Sequence, residues 1–468
     1  MVSVGNRPEV CLARSSKMVI VANRLPVSRS RSGEWISSSG GLVTALVPIL
    51  QKRGGAWIGW TGDSSRGGRL PSMDGVALRA VGLSESEIDT YYNGFSNRTL
   101  WPLFHDAIRE PEFNHDWWPA YVDVNARFAR AAAQMAGPND TVWVHDYHLL
   151  LVPEMLRQLR PDLRVGLFIH IPFPPEELFS WLPWRERILT GMLGAHLVGF
   201  QTYSDAQNFS RAARRYTDAD GTDTELRVGD RRVRVNSFPI SIDFDWFESN
   251  ASRPQVREQA ELVRRRLGAR RKILLCVDRL DYTKGIDTRL LAFEMMLKRR
   301  RVTAEHCVLV QIAAPSREPV FEYAAMRTRI EQLVGRINGE YSEPGRVAVH
   351  YFRRGFSREQ LLPYYCAADV MVVTPLRDGM NLVCKEYIAT RTDHTGVLVL
   401  SEFAGAARQL RRSLLVNPRD VEGMARVMEQ ALKLPPADAR QRMAILRTLV
   451  RRHDVHEWAE QYLEALAR

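Results

Sequence analysis

Two series of short apolar strands alternating with helical patterns predict an α/β fold of two doubly wound Rossmann-like domains facing a cleft. The first series is Met18-Val-Ile-Val-Ala, Ala56-Trp-Ile-Gly-Trp60, Thr141-Val-Trp-Val, Arg164-Val-Gly-Leu-Phe-Ile and His196-Leu-Val-Gly-Phe200. The second is Lys272-Ile-Leu-Leu-Cys-Val, Val308-Leu-Val-Gln-Ile-Ala313, Val347-Ala-Val-His-Tyr351, Val370-Met-Val-Val373, Gly396-Val-Leu-Val-Leu400 and Leu414-Leu-Val416. Such continuous β-branched runs suit parallel strands buried on both faces. A further observation is the polarity of the strand ends: Asn23-Arg24, His145-Asp146-Tyr147-His148, His170 and Asp278-Arg279. In parallel sheets, ligands bind at that edge.

A chain of 468 residues with 45% apolar content can bury a large core, and at that length two domains are expected. We divide it into a leader at 1–17, an N-terminal domain at 18–242, a C-terminal domain at 243–440, and C-terminal helices at 441–468 that cross back to the first domain. The net charge of +11 is scattered in short clusters such as Arg411-Arg412, as on solvated helix faces. Aromatic and basic residues do not interleave on one surface, which argues against nucleic acid as partner. Five widely spaced cysteines with no C-x-x-C pair indicate neither a disulfide framework nor a zinc site. With no secretory signal and no apolar run of spanning length, the expectation is a cytoplasmic protein that does not engage a membrane.

Taken in order, the first strand delivers Asn23-Arg24-Leu25-Pro26 to its carboxyl end. The turn Ser37-Ser-Ser-Gly-Gly41 opens a helix over Leu42–Leu50; it lacks G-x-G-x-x-G and the Walker lysine, so a phosphate site and a plain N-cap both fit. Ser84-Glu-Ser-Glu reads as a capped helix start leading to Tyr91-Tyr92. Aromatics then gather around Leu100-Trp101-Pro-Leu-Phe-His105 and Trp117-Trp118, residues that serve a core or line a sugar site. A helix is expected from Tyr121 to Met135 and a polar hairpin around Arg227–Val233. His145 and His148 flank a strand end without further His or Cys nearby, which speaks against zinc.

In the second half, Asp278-Arg279-Leu-Asp-Tyr-Thr-Lys284-Gly285 follows a strand. Arg279 and Lys284 there can neutralise a diphosphate or stand as exposed loop charges. Thr374-Pro-Leu-Arg-Asp378-Gly379-Met-Asn-Leu-Val-Cys-Lys-Glu386-Tyr387 reads as strand, turn, helix. Asp378 fits as a helix N-cap. It fits equally, with Glu386 about two turns on, as one of two carboxylates for hydroxyls beside an anion-attracting helix start. A nucleotide sugar combines the two properties.

Nearly the whole chain, from about Val19, resembles the trehalose-6-phosphate synthases, through N-R-L-P-V, S-G-G-L, Y-Y-N-x-F-S-N-x-x-L-W-P, V-H-D-Y-H-L, H-I-P-F-P, V-D-R-L-D-Y-T-K-G, Q-I-A-x-P-S-R, G-R-I-N-G, T-P-L-R-D-G-M-N-L-V-x-K-E-Y and S-E-F-A-G-A-A. The resemblance implies a GT-B glycosyltransferase fold and retaining transfer of glucose from UDP-, GDP- or ADP-glucose to glucose 6-phosphate. It implies acceptor contacts at Arg24, Tyr92, Trp101, Asp146 and Arg317, with Arg24, Tyr92 and Arg317 on the phosphate. Donor contacts fall at Gly41, His170, Arg279, Lys284, Phe356, Asp378, Gly379, Met380, Asn381, Leu382, Val383 and Glu386. Arg279, Lys284, His170 and Asp146 are the expected catalytic residues. No metal or cofactor is implied, and the expected assembly is a homo-oligomer, dimer or tetramer. A cyclitol acceptor on the same fold and an inactive regulatory subunit are the alternatives; retention of the phosphate-binding residues and of the site argues against each.

Overall fold

Alternation of buried strand and helix builds two sheets, each with its helices packed on both faces. A computed structural model describes residues 17–29, 35–37, 41–65, 67–73, 75–316 and 321–468. Arg317, Gly40 and the leader before residue 17 lie outside the described residues. The first sheet has ten strands, in the order Asp220–Gly221, Glu225–Val228, Arg231–Ser237, Leu197–Phe200, Arg164–Phe168, Thr141–His145, Met18–Arg24, Gly55–Trp60, Val76–Val81 and Gly67–Met73. Its middle is parallel, and antiparallel strands close both edges. The second sheet has six parallel strands, in the order Val349–Phe352, Cys307–Ala314, Lys272–Arg279, Val370–Val373, Val397–Ser401 and Leu414–Val416. This is the doubly wound α/β architecture expected from the strand runs.

Several elements escape the sequence pattern. Gly67–Met73 is an exposed edge strand carrying glycine and proline, and short runs of that kind are weak strand signals. Val27–Arg29 pairs antiparallel with Trp35–Ser37 where a polar loop is expected. The helix expected from Tyr121 begins at Trp117, and Ile88–Leu100 winds as a wide π-helix directly after the Ser84–Glu87 capping box. The boundary at 440 falls inside the helix Pro436–Arg452, which stays packed on the second half against Phe244–Ala251 and Leu382–Thr390.

The chain returns to the first sheet at Asp454, which caps the last helix, Val455–Ala467. Tyr462 stacks on Trp143 with ring centroids 4.4 Å apart, and its hydroxyl donates to the carbonyls of Leu167 and Leu197. Glycine is required beneath it, since a Cβ on Gly166 or Gly199 would come within 2.6 Å of the Tyr462 ring or hydroxyl. The Trp458 indole donates to the Phe238 carbonyl, so this helix also holds the segment between the two sheets.

Candidate functional site

The carboxyl ends of both sheets open onto a cleft of about 610 Å³, lined from one side by Arg24, Tyr92, Trp101, His105, Asp146 and His170 and from the other by Arg279, Lys284 and Asp378. Rings shape the first wall. The Arg24 guanidinium lies 4.2 Å from the Trp60 ring centroid and 5.8 Å from that of Tyr92, an attraction that orients the cation without neutralising it. Tyr92 stacks on His148 at 5.8 Å. Trp101 follows the π-helix, and its carbonyl lies 2.8 Å from His105 Nδ1, which fixes the proton on that nitrogen. Burial pulls the His105 pKa down to about 3, so the ring is neutral.

Asp146 and His170 occupy adjacent strand ends. Asp146 sits at φ +75°, a conformation that costs a non-glycine residue about 1–3 kcal/mol and clusters at functional sites. Its backbone N–H donates to the Phe168 carbonyl at 2.7 Å, and its Oδ1 accepts from the His170 backbone N–H at 3.2 Å. His170 is held between His145 Nδ1, 3.1 Å from its Nε2, and Gln201 Nε2, 3.5 Å from its Nδ1. Burial lowers it to about 3 as well.

Charges shape the second wall. Lys284 Nζ lies 2.6 Å from Asp378 Oδ2, and Asn381 Nδ2 donates to the same oxygen at 3.1 Å. Burial alone would raise the Asp378 carboxyl, but the Lys284 ammonium and these hydrogen bonds outweigh it and hold it below the ordinary carboxylate value. The Arg279 guanidinium reaches across the cleft, 5.4 Å from the Trp101 ring. Behind them Arg289, wholly buried, joins Asp278 at 2.6 Å, Gln311 at 2.9 Å, Thr374 at 2.9 Å and the Lys284 carbonyl at 3.2 Å. One guanidinium thus ties together the ends of three strands and the turn that carries Lys284.

The turn between Val373 and Leu382 differs from its sequence reading. Asn381, and not Asp378, caps the helix Leu382–Thr390 by accepting from the Cys384 N–H, because Asp378 is drawn to Lys284. Glu386 accordingly lies one turn into that helix, where it accepts from the Tyr365 hydroxyl at 2.8 Å. Burial raises the Glu386 carboxyl, against the opposing pull of Tyr365 and Arg358. Gly379 is needed where the two walls touch: a Cβ there would lie 2.2 Å from the His170 carbonyl oxygen. The neighbour that requires glycine there is backbone of the first half.

Among the described residues, Phe356, Gly379, Met380, Asn381, Leu382, Val383 and Glu386 do not line this cleft. Met380 is buried, while Phe356 packs edge-on against Phe352 and Tyr364. Gly41 opens the helix Gly41–Arg53, whose Leu42 and Val43 line the cleft. Among the described residues, no group of three His, Cys, Asp or Glu side chains is placed to hold a metal ion.

Sequence reasoning did not single out His105, Gln201, Arg289 or Tyr365. Gln201 was open to discovery, since it follows a strand end. So was Arg289, which falls on the apolar face of its helix with Ile286 and Phe293. Tyr365 carries no such signal, because only the tertiary fold brings it to Glu386, whereas His105 meets the Trp101 carbonyl four residues back, within one helical turn. In chemical terms, the cleft offers a guanidinium oriented by rings and sugar-sized aromatic faces on one side, and two cations with a carboxylate on the other.

The sequence profile of glycosyltransferase family 20 matches residues 16–468. The trehalose-6-phosphate synthase of Mycolicibacterium smegmatis is 50% identical over 469 residues, covering 97% of this chain and 93% of the relative. A crystal structure of a UDP-forming α,α-trehalose-phosphate synthase from Burkholderia vietnamiensis superposes with a TM-score of 0.90 at 35% identity, over 97% of this chain and 99% of that one. The Burkholderia xenovorans enzyme of the same name, in complex with glucose-6-phosphate, gives 0.89 at 32% identity over 97% and 100% of the two chains.

Proposed function

The chain is a glycosyltransferase belonging to family 20, and on that premise we propose that it moves glucose from a nucleotide-glucose onto the anomeric hydroxyl of glucose 6-phosphate. The products of this reading are α,α-trehalose 6-phosphate and a free nucleoside diphosphate, in trehalose biosynthesis. One observation carries it: a single cleft sets a guanidinium with aromatic faces opposite a pair of cations and a carboxylate. The names of the relatives, UDP-forming synthases and one bound to glucose-6-phosphate, support the same choice of substrates.

In this reading Arg24 and Tyr92, with Arg317, take the acceptor phosphate, and Trp101 and Asp146 hold its sugar. Two guanidiniums and a phenol suit a dianion. On the donor side, Arg279, Lys284 and the helix starts at Gly41 and Leu382 face the diphosphate, while Asp378 and His170 face the glucose hydroxyls. Glu386 accepts from the ribose and Phe356 lies toward the base. The bond from glucose C1 to the diphosphate oxygen breaks, and a bond from C1 to the acceptor O1 forms on the same face. The acceptor proton passes to the departing diphosphate oxygen, whose growing charge Arg279 and Lys284 stabilise. An α-linked donor giving an α-linked product is retention. A double displacement would need a carboxylate on the opposite face; Asp378 is bound to Lys284 and Asn381, which favours the same-face path.

The two cations suffice for the diphosphate, so neither metal nor cofactor enters this reading, and turnover is expected to survive chelation. The protein is read as a cytoplasmic homo-oligomer, dimer or tetramer, of small-molecule substrates, without nucleic acid or membrane partner. The test is a panel of UDP-, GDP- and ADP-glucose with purified protein and glucose 6-phosphate, reading both released nucleotide and disaccharide phosphate. UDP release matched by α,α-linked product is expected; no nucleotide release from any donor would overturn the assignment.

A further inference from the structure

His170 lines the cleft as a neutral ring, so which nitrogen carries its proton decides which neighbours can hold it and in what orientation the ring meets a substrate. The surroundings fix that choice. Gln201 Oε1 accepts the Ile240 backbone N–H at 3.0 Å, so the side-chain amide must turn its NH₂ toward His170 Nδ1, 3.5 Å away. An NH₂ facing Nδ1 requires a lone pair there, which leaves the proton on Nε2. That Nε2–H points at His145 Nδ1, 3.1 Å away, and pushes the His145 proton to its own Nε2, which is buried without a hydrogen-bond partner among the described residues.

Ile240 is itself anchored from the other half of the molecule. It lies between the last strand of the first sheet, Arg231–Ser237, and the helix Phe244–Ala251. Its carbonyl accepts from Lys385 Nζ at 2.8 Å, and Lys385 also donates to Gln409 Oε1 at 2.8 Å. Lys385 is 1% exposed, and among the described residues it pairs with no carboxylate. A buried cation spent on a backbone carbonyl is costly, and is retained where it fixes a geometry. Lys385 stands next to Glu386, on the helix read as facing the nucleotide.

We infer that Gln201 and Lys385 are positioning residues of the transfer site: a hydrogen-bond line runs from the nucleotide-facing helix through the Ile240 peptides to Gln201 and holds His170 with its proton on Nε2. Substrate contacts neither residue. Gln201 sets the tautomer, and Lys385 sets the place of the connecting segment from which Gln201 takes its orientation. The donor sugar then meets a ring held in one tautomer and one orientation, its Nε2–H given to His145 Nδ1 and its Nδ1 facing the Gln201 amide. This rests on the reading of His170 as a residue beside the donor glucose.

The experiment is a two-bond ¹H–¹⁵N spectrum of the full chain labelled in histidine, with His170→Asn to assign its signals, alongside steady-state rates with UDP-glucose and glucose 6-phosphate. The unsubstituted protein is expected to show the Nε2–H pattern for His170. Gln201→Glu, which places an acceptor against Nδ1, is expected to invert it to Nδ1–H and to lower kcat about 10-fold or more, with KM for glucose 6-phosphate changed less than about twofold. Gln201→Met, measured in case the buried carboxylate prevents folding, is expected to populate both tautomers. Lys385→Met is expected to do the same with a smaller fall in kcat; an unchanged His170 pattern there would remove Lys385 from the line. Nδ1–H in the unsubstituted protein, or inversion with no loss of kcat, would overturn the role of Gln201. The tautomer is read without turnover, so failure of the substrate assignment would show separately, as an unsubstituted protein inactive on these substrates.

Discussion

The two walls of the cleft hold their functional groups by different physics. On the first wall, Arg24 is oriented by the faces of Trp60 and Tyr92, and His105 and His170 are kept neutral by burial. On the second, Lys284 is fixed by Asp378, and the strand ends behind it by the Arg289–Asp278 pair. Ring contacts tolerate the loss of one partner, because each contributes roughly a kilocalorie per mole or less. Buried ion pairs do not, because each partner's desolvation is offset only by the other. The second wall should therefore fail abruptly on single substitutions and the first by degrees.

The largest expected effect is that of Arg289→Met. It strands Asp278 as a buried carboxylate, and a loss of about 3–5 kcal/mol in urea unfolding is expected; a loss under about 1 kcal/mol would show that the two walls do not differ in this way. Next comes Lys284→Ala, expected to lower kcat by about 10²–10³-fold through lost stabilisation of the departing diphosphate. Near-normal nucleotide release from this variant would remove Lys284 from the chemistry.

The pH dependence follows for the neutral histidines. Burial pulls His105 and His170 down to about 3 in the folded chain, against the ordinary imidazole value of 6.5 that holds when unfolded. Between those values the unfolded chain binds more protons. The stability these rings confer is thus complete above about pH 6.5 and is lost as pH falls toward 3, at roughly 1.4 kcal/mol per pH unit for each ring. Thermal melts should fall over that window, and replacing both histidines with glutamine should flatten the slope. The smallest effect belongs to Tyr92→Phe, which keeps the ring against Arg24 and removes one hydroxyl. KM for glucose 6-phosphate should rise about 10-fold with kcat little changed; a large fall in kcat instead would place Tyr92 at the reacting atoms.

Much of the cleft is legible from one rule, that polar residues just past parallel strands meet in a crevice. Arg24, Asp146, His170 and Arg279 follow from it, and Lys284 lies in the turn beyond Arg279. The same rule reaches Gln201, and the apolar face of Ile286–Lys298 reaches Arg289, although neither was singled out. Asp378 shows the limit of local reasoning. A carboxylate before a helix reads as its cap, yet Lys284, 94 positions away in sequence, draws it off and leaves the cap to Asn381.

By itself, the sequence determined the alternation of strand and helix, the division into two sheets and the set of strand-end residues, because strand burial and helical spacing are written in runs of a few residues. Only the tertiary structure decided which carboxylate meets which cation, that Gly379 must clear the His170 carbonyl, and that the last helix returns to seat Tyr462 over Gly166 and Gly199. Those are contacts between segments far apart in the chain, selected by complementary charge and free volume, and no local window of sequence contains both partners.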